Sequence, residues 1–366
     1  MTRRNALGTA ALASIAALLP RDLAAAPSPH APRRLPREQL LLYRTSSGRL
    51  RPVQRPSQWA RRRAEIVKGF LSITGPLPGP EKRVPLDLRL EDEVDQGDFL
   101  RRLISYQSEP GPRVPAYLLV PKSALSGRPA PAALCLHQTH AAGQKVVVGL
   151  GQSPDDEYGV ELARRGYVCL APPYPLLAEY QPDVLALGYA SGTMKAVWDN
   201  MRGLDLLDSL PFVRRGPVAA IGHSLGGHNA IFTAVMDPRL QVVVTSCAFD
   251  SFLDYMNGDL TGWSQTRYLP RLRDYRGRFE EVPFDFHELL GALAPRAFFA
   301  NAPLHDSNFH WDSVDRVAAA ARQVYRLHHA EDRLVVRHPD SQHRFPPEVR
   351  QEAYAFIDRH LSSHHD

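Results

Sequence analysis

The sequence predicts an α/β protein whose mostly parallel, twisted sheet carries helices on both faces and has an antiparallel N-terminal part. From Pro131 onward, short and fully apolar runs alternate with segments of helical periodicity, a pattern typical of buried parallel strands joined by helices. Before Pro131, segments that alternate polar and apolar residues are separated by turn residues, as in antiparallel strands. A chain of 366 residues is long enough for one large domain with an appendage.

These two periodicities place the elements. Helical spacing of apolar residues predicts a helix over 59–73, and period-two alternation predicts strands over 86–94, 99–107 and 114–120. The apolar runs predict parallel strands over 132–136, 168–171, 218–221, 242–245, 297–300 and 334–337. Helices are expected over 157–165, 193–210, 225–237, 314–328 and 347–361.

Composition divides the chain into three parts: an export segment over 1–26, a Pro- and Arg-rich linker with the N-terminal helix over 27–80, and the α/β domain over 81–362. Within that domain, the segment 249–293 is longer than a usual crossover and includes the aromatic residues Phe252, Tyr255, Trp263 and Tyr268. We expect this insert to cover the strand ends as a lid, and an ordinary solvated insertion is the alternative.

The first 26 residues are typical of a targeting segment. Arg3 and Arg4 precede an Ala- and Leu-rich run, and Ala24 to Ala26 offer a small-residue cleavage site. The paired arginines resemble a twin-arginine signal, with a Sec signal or a retained anchor as the alternatives. The apolar run is shorter than the roughly 20 residues that span a bilayer. We therefore expect an exported protein, periplasmic or extracellular, with no stable membrane span in its mature form.

The net charge and the positions of the cysteines indicate which partners and cross-links to expect. The formal net charge is only +5, and no basic segment is interleaved with aromatic residues, so we expect no nucleic-acid partner. Cys135, Cys169 and Cys247 each lie in an apolar run, and their odd number argues against a disulfide framework. The oligomeric state is not readable from the sequence.

The strongest chemical signal is the pentapeptide Gly222-His223-Ser224-Leu225-Gly226, which follows an apolar strand directly and precedes a helix. A serine at so sharp a strand-to-helix turn must adopt strained backbone angles, and glycines on either side allow the strand and helix to approach closely. The turn also places the hydroxyl at a helix N-terminus, where developing negative charge is favoured. Ser224 is therefore the predicted nucleophile.

A serine hydroxyl needs a general base and an orienting acid, expected in the chain order Ser, acid, His. His343 lies in a loop between the last strand and the last helix and is the predicted base, in preference to His338 near the strand end. Asp306 follows the strand 297–300 and is the predicted acid. Its rival is Asp250, which lies one strand earlier.

An oxyanion hole needs two backbone N–H donors. The N–H of Leu225 is one, and the loop after the first parallel strand supplies the other, from Gln138 or Thr139. His137 begins this loop and is a candidate substrate contact. His137 and His140 lack a third ligand at metal-site spacing, so neither a metal nor another cofactor is expected.

The chain resembles a bacterial branch of the α/β-hydrolases that is often grouped with dienelactone hydrolases and acetyl xylan esterases. The resemblance covers about residues 80–362 and rests on LCLHQT (134–139), LARRGYV (162–168), GYASGTMK (188–195), GHSLGGHN (222–229), DLTGW (259–263), ANAPLHD (300–306) and HRFPPEVR (343–350). It implies the same triad of Ser224, Asp306 and His343. Dienelactone hydrolases proper use a cysteine nucleophile, so Ser224 favours simple ester hydrolysis.

The function predicted is therefore that of a serine esterase acting through an acyl-enzyme on a small-molecule or carbohydrate ester, for example an acetylated sugar. Trp263 and Tyr255 of the insert are candidate substrate contacts. One alternative is a peptidase like the prolyl oligopeptidase catalytic domain, which the short N-terminal part disfavours because it cannot form a propeller. The other is an inactive binding module, which the intact triad disfavours.

Overall fold

The computed structural model describes residues 34–362, and the predicted export segment 1–26 lies outside this range. A nine-stranded sheet runs in the order β11-β10-β9-β8-β6-β7-β5-β4-β3, and a separate two-stranded sheet pairs β1 with β2. The strands are β1 (Leu42–Arg44), β2 (Leu50–Pro52), β3 (Arg89–Asp95), β4 (Phe99–Gln107), β5 (Arg113–Pro121), β6 (Ala132–Leu136), β7 (Val168–Ala171), β8 (Val218–His223), β9 (Leu240–Ser246), β10 (Ala297–Asn301) and β11 (Leu334–Arg337). The helices are α1 (Pro56–Thr74), α2 (Lys122–Ser126), α3 (Tyr158–Arg164), α4 (Gly192–Ser209), α5 (Leu225–Met236), α6 (Phe286–Leu293), α7 (Trp311–Leu327) and α8 (Pro347–Ser362).

The predicted fold class is confirmed. The strands β6 to β11 pair in parallel. The strands β3, β4 and β5 form an antiparallel extension that joins the parallel part through β7. Within residues 34–362, no helix combines the length and the apolar character needed to cross a bilayer.

The sheet separates two hydrophobic cores because successive side chains of a strand point to opposite faces. Along β6, Leu134 and Leu136 belong to the larger core, which α1, α4, α5, α6 and α7 cover. Cys135, between them, belongs to the smaller core under α3 and α8. Burial on both faces explains why these strands are apolar throughout. All three cysteines are free and buried.

The described residues 34–52 of the predicted linker segment pack against the rest of the protein. Residues 42–52 form the β1–β2 hairpin, and Leu40 beside it is fully buried in the larger core. Arg34 pairs with Glu288 and Arg37 with Asp285, each at 2.7 Å, although both carboxylates are almost completely buried. These contacts explain the order of a segment whose Pro and Arg content is typical of linkers.

The insert 249–293 connects β9 to β10. It contains short 3₁₀ turns over Tyr255–Gly258, Pro270–Tyr275 and Phe279–Glu281, and then α6. Helix α6 begins with a capping box in which Asp285 and Glu288 satisfy each other's backbone N–H groups. Phe252 is fully buried against Trp263, Phe284 and Phe286, so part of the insert belongs to the core.

Candidate active site

Ser224 lies in the turn between β8 and α5, with backbone angles φ 52° and ψ −120°. Such angles are strained for a residue with a Cβ atom, as the sequence predicted for this turn. The neighbouring glycines have no room for a side chain: a Cβ on Gly226 would lie 1.9 Å from the Leu136 carbonyl oxygen, and one on Gly222 would lie 2.3 Å from Gly226. Because these two glycines have no side chain, the end of β6, the nucleophile turn and α5 can lie in close contact.

Asp306 and His343 meet beside this turn. The Nδ1–H of His343 lies 2.9 Å from each carboxylate oxygen of Asp306, and Oδ1 also accepts a hydrogen bond from the Asn308 N–H at 2.8 Å. Burial alone raises the pKa of the Asp306 carboxyl, but the hydrogen bond and charge of His343 and the Asn308 N–H together hold it below its ordinary value. The carboxylate therefore stays ionised and orients the imidazole.

The two rival residues lie apart from this pair. Asp250 accepts a hydrogen bond from the His310 N–H at 3.2 Å and makes no hydrogen bond to His343. His338 has both ring nitrogens engaged, with the Ala302 carbonyl oxygen at 2.7 Å and Asp315 at 3.0 Å. Among the residues that the structure describes, Asp306 is the acid that contacts His343.

Asp250 should make stability depend on pH. Burial raises the pKa of its carboxyl from 3.8 to about 8, so the folded state favours the protonated form. A raised folded pKa gives stability that is complete below the unfolded pKa and is lost as pH rises through the folded pKa. We therefore expect Asp250→Asn to melt like the wild type near pH 4 and at a higher temperature by pH 8, while the exposed Asp274→Asn shows no such trend. Thermal unfolding between pH 4 and 9 measures this, and a pH-independent difference would contradict it.

The loop after β6 is shaped by His137. Its Nε2 accepts the Tyr174 N–H at 2.8 Å, so the proton lies on Nδ1, which donates to the Gln138 carbonyl oxygen at 2.7 Å. Burial lowers the pKa of His137 to about 4, so the ring is neutral. Both ring nitrogens are occupied and His137 is not part of the cavity wall, which departs from its predicted role as a substrate contact.

Gln138 and Thr139 do line the cavity, beside Leu225 and Ser224. Within the described chain, the backbone N–H groups of Gln138 and Thr139 have no hydrogen-bond acceptor. The N–H of Leu225 is in the first turn of α5, where helical N–H groups lack an intrahelical partner. The three residues predicted as oxyanion donors, Gln138, Thr139 and Leu225, therefore line the same cavity as Ser224.

These groups open onto one cavity of about 330 Å³, a size that fits a small ligand. Its wall includes both candidate insert residues, Trp263 and Tyr255. The other side chains of the wall, beyond Gln138, Thr139, Ser224 and Leu225, are His223, His228, Tyr268, Asn308, Phe309 and His343. No hydrogen bond joins Ser224 to His343 within the described residues, a contact that often tightens only when substrate binds.

Sequence reasoning missed several wall residues. His228 lies four residues after Ser224, so helical periodicity alone puts it one turn above the nucleophile. Asn308 and Phe309 follow Asp306 in the loop before α7, and no periodicity marks them.

Cys247 lies with Asp306 and His343 in a cluster whose potential metal-ligand atoms are within 4.8 Å of one another. Since Asp306 and His343 already bond to each other, we interpret this cluster as an acid–base pair.

No protein-family model matches the chain. In sequence, it is 25% identical over 314 residues to "Putative hydrolase YtaP" of Bacillus subtilis (strain 168), an alignment that spans 82% of this chain and 100% of the relative. In structure, it is similar to a glucuronoyl esterase from Solibacter usitatus, with a TM-score of 0.68 and 19% identity over 88% of this chain and 97% of that one.

It is also similar to a protein of Bacteroides fragilis NCTC 9343 described as a "putative acetyl xylan esterase", with a TM-score of 0.59 and 16% identity over 78% of this chain and 76% of that one. The topology and these likenesses establish the α/β-hydrolase fold. At such identities they establish the fold alone, and the chemistry must be argued from the site.

Proposed function

We propose that this chain of the α/β-hydrolase fold is a serine hydrolase that cleaves carboxylic esters, with Ser224 as nucleophile, His343 as base and Asp306 as orienting acid. The observation that carries the proposal is the His343–Asp306 pair, 2.9 Å apart, on the same cavity as a serine in a strained strand-to-helix turn. A scaffold that only binds has no use for such a combination.

In the proposed mechanism, Asp306 keeps the His343 proton on Nδ1, so Nε2 has a free electron pair. Nε2 takes the Ser224 hydroxyl proton as Oγ attacks the ester carbonyl carbon. The carbonyl oxygen becomes an oxyanion, which the N–H of Leu225 and that of Gln138 or Thr139 stabilise. His343 then protonates the departing alcohol, and a water molecule hydrolyses the acyl-enzyme by the same steps.

An ester is favoured over a peptide because the described residues before β6 are accounted for by the hairpin, α1, the strands β3 to β5 and α2. None of these forms the propeller of a prolyl oligopeptidase. A chromogenic acyl ester, a peptide amide and a phosphonate probe of Ser224 together test the proposal. We expect ester turnover and phosphonate labelling without amide cleavage. Preferential amide cleavage would favour a peptidase, and a lack of both turnover and labelling would favour a binding module.

We further propose a carbohydrate ester as the substrate. The neighbours by structure are named as glucuronoyl and acetyl xylan esterases, and the cavity wall combines aromatic rings with neutral hydrogen-bonding groups. Such rings have an apolar face and a polar tip, which suits a sugar ring with its hydroxyl groups. Acetate release from acetylated xylose, compared with methyl-ester cleavage on glucuronate, would identify the ester.

The insert should set substrate preference. Trp263 is almost fully buried against Phe252 and Phe286 and also lines the cavity, so alanine would create a void in the core as well as in the site. We expect Trp263→Ala to change relative kcat/KM between esters of different size by about 10- to 200-fold. Trp263→Phe, which keeps most of the packing, should give a smaller change of the same kind.

The half-exposed Trp311, at the start of α7, provides the matched control Trp311→Phe, which should leave the ranking of esters unchanged. Thermal unfolding identifies variants that lose activity through lost stability. If both Trp263 variants lowered kcat/KM for all esters by one factor, Trp263 would be a core residue without influence on specificity.

We also propose that residues 1–26 direct export and are then removed. The support is sequence alone: Arg3 and Arg4, the apolar run and the Ala-rich end. We expect a mature N-terminus near Ala26 or Pro27, measured by N-terminal sequencing of the protein from its host. Replacing both arginines by lysine should stop export only on the twin-arginine route. A cytoplasmic protein that retains Met1 or Thr2 would contradict the proposal.

A further inference from the structure

The wall of the active-site cavity is rich in hydrogen-bonding groups and poor in charge. Among the described residues that line it, none is Lys, Arg, Asp or Glu. Gln138 and Asn308 contribute neutral amides, and Thr139, Tyr255 and Tyr268 contribute hydroxyls. The carboxylate of Asp306 is buried and bonded to His343, and the guanidinium of Arg267 lies over the Tyr268 ring, outside the wall.

His228 is a histidine in this wall that could carry a positive charge if it were protonated. It lies one helical turn after Ser224, is 7% exposed, and packs against Trp263 with ring centroids 4.6 Å apart. Its Nδ1 donates to the Ala248 carbonyl oxygen at 3.2 Å, which fixes the neutral tautomer. Burial lowers the pKa of His228 to about 3, so the ring carries no charge near neutral pH.

We propose that this cavity accepts only uncharged groups beside the ester and that His228 is a specificity-determining residue for this selection. The inference rests on the proposed esterase function. A carboxylate or ammonium group that enters the cavity loses its hydration, and no side chain of opposite charge is there to replace it. Hydroxyl groups meet amide, hydroxyl and imidazole partners instead.

Matched esters test the selection on both sides of the scissile bond. On the acyl side, 4-nitrophenyl butyrate is compared with mono-4-nitrophenyl succinate, in which a carboxylate replaces the terminal methyl group, and with the methyl ester of that succinate. On the alcohol side, acetylated methyl xyloside is compared with acetylated methyl glucuronoside, which adds a carboxylate at C5. We expect each anionic ester to have a kcat/KM lower by about 100-fold or more than its neutral partners.

A cationic and a neutral substitution at the same position test the role of His228. His228→Lys should narrow the gap between neutral and anionic esters by about 10-fold or more, and His228→Gln should not. Thr139→Lys and Thr139→Gln make the same comparison at an exposed position of the wall, where a folding defect is not expected. Equal rates for neutral and anionic esters in the wild type, or equal narrowing by Lys and Gln, would overturn the inference. Failure to hydrolyse any ester would instead overturn the proposed function beneath it.

Asn301, the last residue of β10, lies between the loop of His343 and β9. Its side chain is buried, and Nδ2 donates to the Ser246 hydroxyl at 2.8 Å and to the Arg344 carbonyl oxygen at 2.9 Å. The Arg344 carbonyl can only accept, so the amide nitrogen must face it. Arg344 directly follows His343, while Ser246 receives the Ser224 N–H on its carbonyl oxygen at 2.8 Å. Asn301 thereby joins the loop of the base to β9, whose Ser246 carbonyl oxygen accepts the Ser224 N–H.

We infer that Asn301 is a positioning residue that sets His343 relative to Ser224. The loop between β11 and α8 has no regular structure of its own, and a base displaced by about 1 Å can cost about 100-fold in rate. Loss of the bridge should lower kcat while substrate binding is retained, because Asn301 does not line the cavity. We therefore expect Asn301→Ala to lower kcat by about 10- to 100-fold with little change in KM, and Asn301→Ser, which keeps a donor, to lie between.

Asn200 is the matched control. It is also buried, and its Nδ2 donates to Asn229 at 3.1 Å and to Thr233 at 2.9 Å, within the α4–α5 packing. Asn200→Ala should reduce the melting temperature without a selective loss of kcat. If Asn301→Ala and Asn200→Ala changed kcat equally at a temperature where both are folded, or if Asn301→Ala raised KM as much as it lowered kcat, the role of Asn301 would be structural only.

Discussion

Replacing Ser224 by alanine should lower kcat/KM for an acyl ester by about 10⁶-fold, the size of the loss when a serine hydrolase loses its nucleophile. The acyl-enzyme cannot form without Oγ, and the oxyanion donors and binding contacts then supply only the residual acceleration. The fold should persist because the strained turn loses one small, half-buried hydroxyl and gains no bulk. Initial rates with a chromogenic ester, together with thermal unfolding, measure both parts.

Phosphonate labelling gives an independent reading of the same change, since the probe should label the wild type and leave Ser224→Ala unlabelled. Ser209→Ala, at the end of α4, is the matched control and should retain full activity and labelling. Activity of Ser224→Ala within tenfold of the wild type would refute the proposed mechanism, because a hydrolase with another nucleophile or an activated water would not need this hydroxyl.

Replacing Asp306 by asparagine should lower kcat by about 10⁴-fold. The carboxylate accepts the His343 Nδ1–H at 2.9 Å, whereas an amide nitrogen in the same place donates. The imidazole would then carry its proton on Nε2 and could not accept the Ser224 proton. The proposed acid also stabilises the imidazolium that forms, and a neutral amide does this far less well.

Asp250→Asn is the matched control for Asp306→Asn. Both carboxyls are buried and lie in loops at the same end of the sheet, but Asp250 makes no hydrogen bond to His343. We expect its substitution to change kcat far less, with its main effect on the pH dependence of stability. A larger loss of kcat in Asp250→Asn than in Asp306→Asn would place the acid after β9 and refute the assignment.

Much of the architecture follows from local patterns in the sequence. The predicted strands 132–136 and 168–171 have the observed bounds, because a run buried on both faces of a sheet is apolar from end to end. The edge strand 334–337 also has the observed bounds, although it ends on the exposed Arg337. The strained turn at Ser224 was also predictable, since its requirements lie within five consecutive residues. The N-terminal segment was not, because its order depends on Asp285 and Glu288, roughly 250 residues away in the chain.

Within the candidate site, too, local features were predictable and contacts between distant residues were not. The sequence by itself determined which residue types could serve as nucleophile, base and acid, and their order along the chain. It left Asp250 as a rival to Asp306, and only the tertiary structure decided which carboxylate contacts His343. It also decided that the His137 ring binds the Gln138 carbonyl oxygen of its own loop and the Tyr174 N–H of the loop after β7, and that His228 and Asn308 join the cavity wall. The physical reason is separation along the chain. Turns and periodicity are set by neighbouring residues, whereas a contact between loops depends on how far each strand extends and how the helices pack between them.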